Sequence, residues 1–285
     1  MTDDLPPLRD IIARHDLGAK KALGQHFLLD LNITRKIARA AEVAPGDLVV
    51  EIGPGPGGLT RALLETGAEI IAIERDARFL PALQELSDAF PDRLTIVSDD
   101  ALEADERALA GGRAMKIVAN LPYNISTELL IKWLRGAHSG GPPLWSTMAL
   151  MFQKEVADRI LAAPGSKTYG RLSVIAQAAS RPSRAFNLPA SAFTPPPKVA
   201  SSVVLFQPTA QPLADFRALE AATQAAFGQR RKMLRSSMKS LWGDHAEVFL
   251  SSADIDPTRR AEDLRVEEFL RLAAIRASRG SSASG

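Results

Sequence analysis

The sequence predicts an α/β protein in which helices cover both faces of a largely parallel sheet. Between about residue 30 and residue 208, short apolar runs typical of strands alternate with segments of helical periodicity. The first such run, Leu48 to Ile52, leads into a glycine-rich turn and then into a helical segment that begins near Leu59. Repeated strand–turn–helix units of this kind set parallel strands side by side and place the crossover helices on the faces of the sheet.

The elements are expected to follow one another regularly through this part of the chain. Strands are predicted at residues 48–52, 69–73, 94–97, 115–119, 147–152 and 202–206. Helices are predicted between them, at residues 59–65, 77–89 and 126–135. A proline-rich segment, Thr194 to Pro197, precedes the last strand.

The pattern changes after Pro208, where strand-like runs end. Short helices are predicted at residues 213–227, 231–242, 245–250 and 266–277. The sequence therefore predicts a boundary at 208–212, with an α/β domain at residues 1–208 and a helical domain at residues 209–277. Residues 278–285 are rich in serine and glycine, and we expect them to be disordered.

The composition allows a sizeable core and excludes several kinds of site. Of the 285 residues 46% are hydrophobic, and the net charge is only +2. No cysteine is present, which excludes disulfides, thiolate metal sites and cysteine nucleophiles. Residues 1–16 contain acids and prolines without the apolar stretch of a secretory signal, and no apolar run reaches about 18 residues. We therefore expect a cytoplasmic protein without a membrane partner.

The glycine-rich turn, E-I-G-P-G-P-G-G at residues 51–58, predicts a site for an adenosine-containing cofactor. It satisfies both G-x-G-x-x-G, typical of dinucleotide binding, and G-x-G-x-G, typical of S-adenosylmethionine-dependent methyltransferases; both patterns contain Gly53 and Gly55. Glu74 ends the second strand about 20 residues further on, where a ribose-binding acid belongs in either case. The glycine-rich turn and Glu74 are compatible with either cofactor and do not distinguish between them.

Two further polar positions follow predicted strands. Asp100 comes after the third strand and Asn120 ends the fourth, and ligands bind at the carboxyl ends of strands in open α/β sheets. Asp100 suits an acceptor for the amino group of a cofactor adenine. The alternative is that Asp99 or Asp100 only caps the next helix.

The segment Asn120-Leu121-Pro122-Tyr123 fits the chemistry of adenine methylation. The adenine amine is a poor nucleophile because its lone pair is delocalised into the ring. The side-chain carbonyl of Asn120 and a backbone carbonyl near Leu121, restrained by Pro122, would hold the two N–H groups and aim that lone pair, while Tyr123 would stack on the base. Asparagine has no useful pKa and is not a general base. The alternative is a plain turn.

Together the motifs resemble those of the ribosomal RNA adenine dimethyltransferases, and within that family those of the bacterial small-subunit group. The matching stretches are L-G-Q-H-F-L at 23–28, E-I-G-P-G at 51–55, D-A at 100–101, N-L-P-Y-N-I-S at 120–126, Q-K-E-V at 153–156, Y-G-R-L-S-V at 169–174, F-T-P-P-P-K-V-A-S at 193–201 and Q-R-R-K-M-L-R at 229–235.

The resemblance implies a fold and a reaction. The fold would be a Rossmann-like class I methyltransferase sheet of seven strands, the last antiparallel, followed by a small helical domain that binds RNA. The enzyme would use S-adenosylmethionine to dimethylate the N6 atoms of two adjacent adenosines near the 3′ end of 16S rRNA. Its partner would be the assembling small ribosomal subunit, and the family default is a monomer.

The resemblance also implies roles for single residues. Cofactor contacts would come from His26, Leu28, Gly53, Gly55, Glu74, Asp100 and Asn120. Of these, Glu74 would bind the ribose hydroxyls and Asp100 the adenine amine. Target-base contacts would come from Asn120, Leu121, Tyr123 and Phe193, with the two aromatic rings on opposite faces of a flipped adenine.

Two positions depart from the common family pattern. Many members have asparagine where this chain has His26, and an apolar residue where it has Arg75. Both changes bear on cofactor affinity more than on the type of reaction. The alternative for His26 is an ordinary packed or exposed histidine.

Residues 229–239 contain five basic residues and no acid, which predicts contacts with RNA phosphates. The basic residues are Arg230, Arg231, Lys232, Arg235 and Lys239. On one continuous helix, Arg231, Arg235 and Lys239 would share a face, with Met233, Leu234 and Met238 as candidates for the inner face. Lys20 and Lys21 form a smaller second patch. The alternative is a solvated helix face.

Three other functions remain as alternatives. One alternative is a ribosome-assembly or RNA-binding factor with dispensable catalysis. Another is a 23S rRNA adenine methyltransferase that confers antibiotic resistance. A dinucleotide-dependent oxidoreductase is remote, because nothing in the sequence supplies a site for hydride transfer.

Overall fold

The structure is a computed structural model that describes residues 5–19, 25–138, 144–210, 213–229 and 231–280. Its strands are β1 (Phe27–Leu28), β2 (Leu48–Ile52), β3 (Glu69–Glu74), β4 (Leu94–Ser98), β5 (Met115–Asn120), β6 (Trp145–Gln153), β7 (Ser180–Leu188), β8 (Phe193–Thr194) and β9 (Ser201–Pro208). Its α-helices are α1 (Leu8–Arg14), α2 (Leu31–Ala40), α3 (Gly58–Glu65), α4 (Leu80–Ala89), α5 (Glu106–Leu109), α6 (Ser126–Gly136), α7 (Lys154–Ile160), α8 (Arg171–Ala179), α9 (Phe216–Phe227), α10 (Leu234–Ser237), α11 (Lys239–Trp242), α12 (Ala246–Ser252) and α13 (Val266–Gly280).

Within the described residues, seven strands form one sheet in the order β4-β3-β2-β5-β6-β9-β7. Strands β2 to β6 pair in parallel, and β9 runs antiparallel to β6. This arrangement confirms the predicted α/β class, including the antiparallel last strand. A separate antiparallel pair joins β1 to β8, with Leu28 opposite Phe193.

The strands that the sequence predicted are present, with ends that differ by at most two residues. Strand β2 is buried along its whole length, which explains why all of its residues except Glu51 are apolar. Strand β7 was not predicted, because its sequence, S-R-P-S-R-A-F-N-L, has no such run and its residues are mostly half-buried or exposed. The two-residue strands β1 and β8 also carried no recognisable pattern.

By their contacts, the described residues divide into two compact units. The first unit lies within residues 1–133, 143–157 and 183–207, and the second within residues 134–142, 158–182 and 208–285. One division falls between residues 207 and 208, next to the predicted boundary range of 208–212, but the second unit also takes in two earlier segments. The assignment of separate functions to residues 1–208 and 209–277 stays a prediction.

The core of the first unit lies between the sheet and helices α2, α3 and α4. Val49, Ile70, Val118 and Ala149 of neighbouring strands are each no more than 1% exposed and belong to one cluster that extends to Phe193. The burial of such aliphatic side chains is the main favourable term that holds strand and helix layers together. The layers fix the carboxyl ends of β2, β3, β4 and β5 as one edge of the sheet.

The second unit has its own apolar cluster, to which α9, α12 and α13 contribute most and α8, α10 and α11 add single residues or pairs. It includes the fully buried residues Leu219, Phe269 and Leu272. Tyr169 is buried among them, and its hydroxyl donates a hydrogen bond of 2.9 Å to the backbone carbonyl of Leu264. None of the helices in the described ranges is long and apolar enough to cross a bilayer.

The basic segment is not the single helix that the sequence predicted. Residues 231–233 precede α10, and Met238 separates α10 from α11. Leu234 and Met238 are buried as expected, whereas Met233 is 40% exposed, so this part of the prediction was wrong. At the other end of the chain, α13 continues to Gly280, so residues 278–280 are helical rather than disordered; residues 281–285 lie outside the described residues.

Candidate active site

A cavity of about 420 Å³ opens at the carboxyl ends of β2, β3, β4 and β5. Every residue predicted to contact a cofactor contributes to its lining: His26, Leu28, Gly53, Gly55, Glu74, Asp100 and Asn120. Leu121 and Tyr123 line it as well. The structure thus brings together side chains from five separate segments of the chain, at the edge of the sheet where such sites form.

The glycine-rich loop can follow its path only because its glycines carry no side chain. Gly53 and Gly55 have φ values of +64° and +54°, a region that other residues adopt at a cost. A Cβ atom on Gly58, the first residue of α3, would lie 2.4 Å from the carbonyl oxygen of Leu28. The loop therefore turns sharply from β2 into α3 while it packs closely against β1.

Glu74 is held rigidly at the end of β3. It is 6% exposed, and its two carboxylate oxygens accept hydrogen bonds from the backbone N–H groups of Gly55, at 3.0 Å, and Asp76, at 2.7 Å. Burial raises the pKa of Glu74 above the ordinary glutamate value, although both N–H groups oppose the shift. Its oxygens keep free lone-pair directions and can still accept from hydroxyl groups.

Asp100 forms part of a turn beyond β4 and has an ion-pair partner. One carboxylate oxygen accepts from the backbone N–H of Leu102 at 3.0 Å, and the other lies 2.8 Å from the guanidinium of Arg75, whose side chain is 79% exposed. The next helix, α5, is capped instead by Asp105, which accepts from the N–H of Ala108. The helix-capping alternative for Asp99 and Asp100 is therefore wrong.

The side-chain amide of Asn120 is oriented by one hydrogen bond. Its Nδ2 donates to the backbone carbonyl of His26 at 3.0 Å. Since the amide nitrogen is engaged in this way, Oδ1 is the end that remains to accept hydrogen bonds in the cavity. Leu121 beside it is buried, 2% exposed, and Pro122 packs next to Gly53.

His26 and Tyr123 lie side by side at the same end of the cavity. Their ring centroids are 5.6 Å apart with the planes tilted by 31°. Nδ1 of His26 donates to the carbonyl oxygen of Pro195 at 2.8 Å, because a carbonyl can only accept. The hydroxyls of Tyr123 and Ser201 are 2.6 Å apart, and burial raises the pKa of Tyr123, so the phenol is neutral at physiological pH. The unit thus holds both rings in fixed positions.

Phe193 does not join the other predicted target-base residues. It is 3% exposed, sits in the core cluster of the first unit, and is paired with Leu28 across β1 and β8. It is not among the residues that line the described cavity. In this arrangement His26, not Phe193, is the ring next to Tyr123.

Sequence reasoning did not select Glu51, which also lines the cavity. Glu51 is 2% exposed, and within the described residues its Oε2 has no hydrogen-bond partner. Burial raises the pKa of Glu51 to about 8; the hydroxyl of Thr60 beside it opposes this shift, although it forms no regular hydrogen bond, and the charge of Glu74 adds to it. The signal for this residue was an acid within the apolar run L-V-V-E-I just before the glycine loop.

The predicted RNA-binding residues come from two separate segments of the chain, and the structure describes four of the seven. Arg231, Lys232, Arg235 and Lys239 are exposed residues of the second unit. Because Arg231 precedes α10, it does not share a continuous helical face with Arg235 and Lys239. Lys20, Lys21 and Arg230 fall outside the described residues.

Comparisons with known proteins agree with this geometry. Residues 17–278 match the sequence model of the family described as ribosomal RNA adenine dimethylase. The chain is 60% identical over 277 residues to the ribosomal RNA small subunit methyltransferase A of Mesorhizobium japonicum, covering 95% of this chain and 98% of that protein. It is 59% identical over 273 residues to the protein of the same name from Phenylobacterium zucineum, covering 95% and 93%.

Solved structures show the same fold. The crystal structure of a dimethyladenosine transferase from Plasmodium falciparum matches with a TM-score of 0.76 and 27% identity, over 90% of this chain and 98% of that one. The 23S rRNA methyltransferase ErmE matches with a TM-score of 0.65 and 24% identity, over 87% and 98%. At 24% identity, the similarity to ErmE supports the fold alone.

Proposed function

The chain belongs to the ribosomal RNA adenine dimethylase family, and from this premise we propose that it dimethylates the N6 atoms of two adjacent adenosines near the 3′ end of 16S rRNA. The observation that carries the proposal is the gathering of Glu74, Asp100 and Asn120 around one cavity, at the carboxyl ends of β3, β4 and β5. Nothing comparable among the described residues would serve a hydride transfer, which leaves the oxidoreductase alternative without support.

The methyl donor that fits the cavity is S-adenosylmethionine. It supplies a methyl group on a positively charged sulfur. Glu74 has the free lone pairs to accept hydrogen bonds from a ribose diol, and Asp100 can accept one from an adenine amine. A volume of about 420 Å³ falls in the range of small-molecule sites. His26, Leu28, Gly53 and Gly55 complete the wall on the side of β1 and the glycine loop.

Asn120 is proposed to orient the target amine. Its Oδ1 accepts one N–H of the adenine amine, and the backbone carbonyl of Leu121, restrained by Pro122, accepts the other. Held out of the ring plane, these hydrogens localise the lone pair, which forms the new N–C bond as the bond from carbon to sulfur breaks. The nitrogen then loses its proton to solvent. The residues contribute orientation and dipoles, and none acts as a base.

The N6 amine of an adenine stacked in an RNA helix cannot approach the methyl group in line with the carbon–sulfur bond, so the target base must leave its stack. Tyr123 is proposed to hold one face of the extruded base. Phe193 is paired with Leu28 and buried in the core, and it reaches the opposite face of the base only if β8 shifts when RNA binds. The exposed residues Arg231, Lys232, Arg235 and Lys239 are proposed to contact RNA phosphates, together with Lys20, Lys21 and Arg230.

We further propose that the substrate is 16S rRNA in the assembling small subunit and that the enzyme acts as a cytoplasmic monomer. The intact set of Glu74, Asp100 and Asn120 opposes a pure assembly role with lost chemistry. The high identity to two small-subunit methyltransferases favours 16S over 23S rRNA as the substrate.

The test supplies S-adenosylmethionine with a labelled methyl group to immature small subunits, to mature small subunits and to 23S rRNA. We expect labelled dimethyladenosine at adjacent positions near the 3′ end of 16S rRNA. Label confined to 23S rRNA would support the resistance alternative. No transfer to any substrate, while the protein still promotes subunit maturation, would support the assembly alternative.

A further inference from the structure

A second cavity of the first unit lies outside the proposed active site. Residues of α1, of α3 and of the start of α2 line it, together with residues that precede α1. Its volume of about 590 Å³ falls in the range of small-molecule sites. No residue lines both this cavity and the first one, and the proposed function assigns no role to it.

The wall of this second cavity contains a buried cation, Arg61 of α3, which is only 7% exposed. Within the described residues its guanidinium makes one hydrogen bond, in which Nη1 donates to the backbone carbonyl of Pro6 at 2.7 Å, and its Nε has no partner. A carbonyl is neutral and does not balance the charge. Because a buried charge without a counter-ion is costly, this arginine indicates an anionic partner.

The acids near Arg61 have other partners. Glu65 accepts hydrogen bonds from Arg35 at 2.6 and 2.8 Å, and Asp30 caps α2. Burial lowers the pKa of Arg61 and the charge of Glu85 opposes this shift, but Glu85 is paired with basic side chains at the end of α1. Since arginine stays protonated in proteins, its charge remains to be balanced by a ligand.

Most of the remaining wall is apolar, which narrows the class of anion. Leu5, Leu29 and Leu31 are half-buried there, beside Pro7 and Leu8. These side chains can cover a hydrocarbon chain, whereas an inorganic anion would lose water against them without gaining apolar contact. A guanidinium matches the planar geometry of a carboxylate with two parallel hydrogen bonds. Charge and wall together fit a carboxylate that carries an apolar chain.

We propose that the second cavity binds a carboxylate attached to a hydrocarbon chain, with Arg61 as the partner of the carboxylate. The carbonyl of Pro6 takes one N–H group of the guanidinium, and the others remain for the ligand. Arg9 adds a second positive charge to the same wall. The site goes beyond the proposed function and does not depend on it.

Three probes separate the contribution of the charge from that of the chain. Octanoate has both, 1-octanol has the chain without the charge, and inorganic phosphate has charge without a chain. In titration calorimetry near pH 7, we expect the wild-type protein to bind octanoate about 10-fold to 100-fold more tightly than either of the others. No binding of octanoate, or equal binding of 1-octanol or of phosphate, would overturn the proposal.

Arg61→Met removes the charge and keeps a side chain of similar length. We expect it to bind octanoate about 10-fold to 100-fold more weakly than wild type, with the affinity for 1-octanol changed by a few-fold at most. The matched control is Arg39→Met, at an exposed position of α2 outside the cavity wall, which should bind octanoate as the wild type does. Undiminished binding of octanoate by Arg61→Met would contradict the assignment of Arg61.

A measurement on the wild type alone is also needed, because Arg61→Met loses the hydrogen bond to Pro6 as well. A crystal soaked with 8-bromooctanoate locates the chain by the anomalous scattering of bromine. We expect the carboxylate at the guanidinium of Arg61 and the bromine among the leucines of the cavity wall. Bromine bound only at other places on the protein would overturn the proposal.

Discussion

The amide of Asn120 donates a hydrogen bond to the backbone carbonyl of His26, 94 residues away in the sequence. This single contact determines which end of the amide faces the cavity, and with it the capacity of Asn120 to accept from a substrate amine. Because the acceptor is a backbone atom, the contact does not depend on the histidine side chain. The departure from the common family residue at position 26 is therefore compatible with the proposed chemistry.

Glu51→Gln should change how the stability of the ligand-free protein depends on pH. Glu51 keeps its proton in the native protein up to a pKa of about 8, whereas in the unfolded chain it ionises near 4.5. Between these values the native state binds more protons, so its free energy of unfolding falls as the pH rises. Glutamine removes this contribution. We expect the variant to gain several degrees in melting temperature over wild type at pH 8 and little at pH 5.

The measurement is a pair of thermal unfolding curves at each pH, without ligand. Parallel pH profiles for the variant and the wild type would show that Glu51 does not titrate in this range. In Glu74→Gln a similar but separate change is expected, since burial also raises the pKa of Glu74.

Arg75→Met should affect donor binding much less than Asp100→Ala. The Arg75 side chain is 79% exposed, and exposed ion pairs contribute little. We expect a change in donor affinity of less than about fivefold for Arg75→Met, shrinking further as salt is added. Asp100→Ala removes the proposed acceptor for the adenine amine and should weaken the donor by about tenfold or more. Titration calorimetry at two salt concentrations checks both; equal losses would mean that Arg75 itself holds the adenine.

The hydroxyls of Tyr123 and Ser201 should affect the methylation rate through the one hydrogen bond that they share. Tyr123→Phe and Ser201→Ala each remove it while the stacking ring remains, so each should lower the methylation rate by a similar, few-fold factor. The double variant should be no slower than either single one. Because the phenol is neutral well above physiological pH, none of these variants should alter the pH–rate profile between about 6 and 9. Additive losses in the double-variant cycle would show that the two hydroxyls act independently.

Exchange of Arg231, Arg235 and Lys239 for glutamine should weaken rRNA binding and flatten its dependence on salt, because fewer counterions are then released. A matched control replaces Arg14, Arg39 and Arg113, three basic residues of the first unit. It removes the same net charge outside the basic segment. Binding curves at several salt concentrations give the slope, and a slope that the first triple variant leaves unchanged would contradict the proposed phosphate contacts.

Strands buried on both faces were the most predictable part of the fold. Strands β2, β3 and β5 are mostly apolar and largely buried, as expected for strands covered by helices on both sides of the sheet. The polar residues that end β3 and β5 mark the cavity. Strand β7 could not be recognised, since its half-exposed residues and Pro182 give no strand pattern. The helix predicted at 231–242 is interrupted at Met238, where tertiary packing overrides the local pattern.

The site was predictable where a polar residue ends a strand, as with Glu74 and Asn120. The position of Phe193 was not, because its burial depends on the pairing of β8 with β1, a contact between residues far apart in sequence. Glu51 was not predicted as a site residue, because it lies inside β2 and neither ends nor follows a strand. An unpaired acid within an apolar strand is a signal that sequence reasoning can use in other chains.

The central claim, that Asn120 orients the target amine for methyl transfer, is tested most directly by single-turnover methylation of small subunits at saturating donor. We expect Asn120→Ala to slow the chemical step by about 10² to 10³-fold. The control Asn32→Ala, at an exposed position of α2, should react at the wild-type rate. A wild-type rate in Asn120→Ala would contradict the account, since the amine would then need no acceptor at this position.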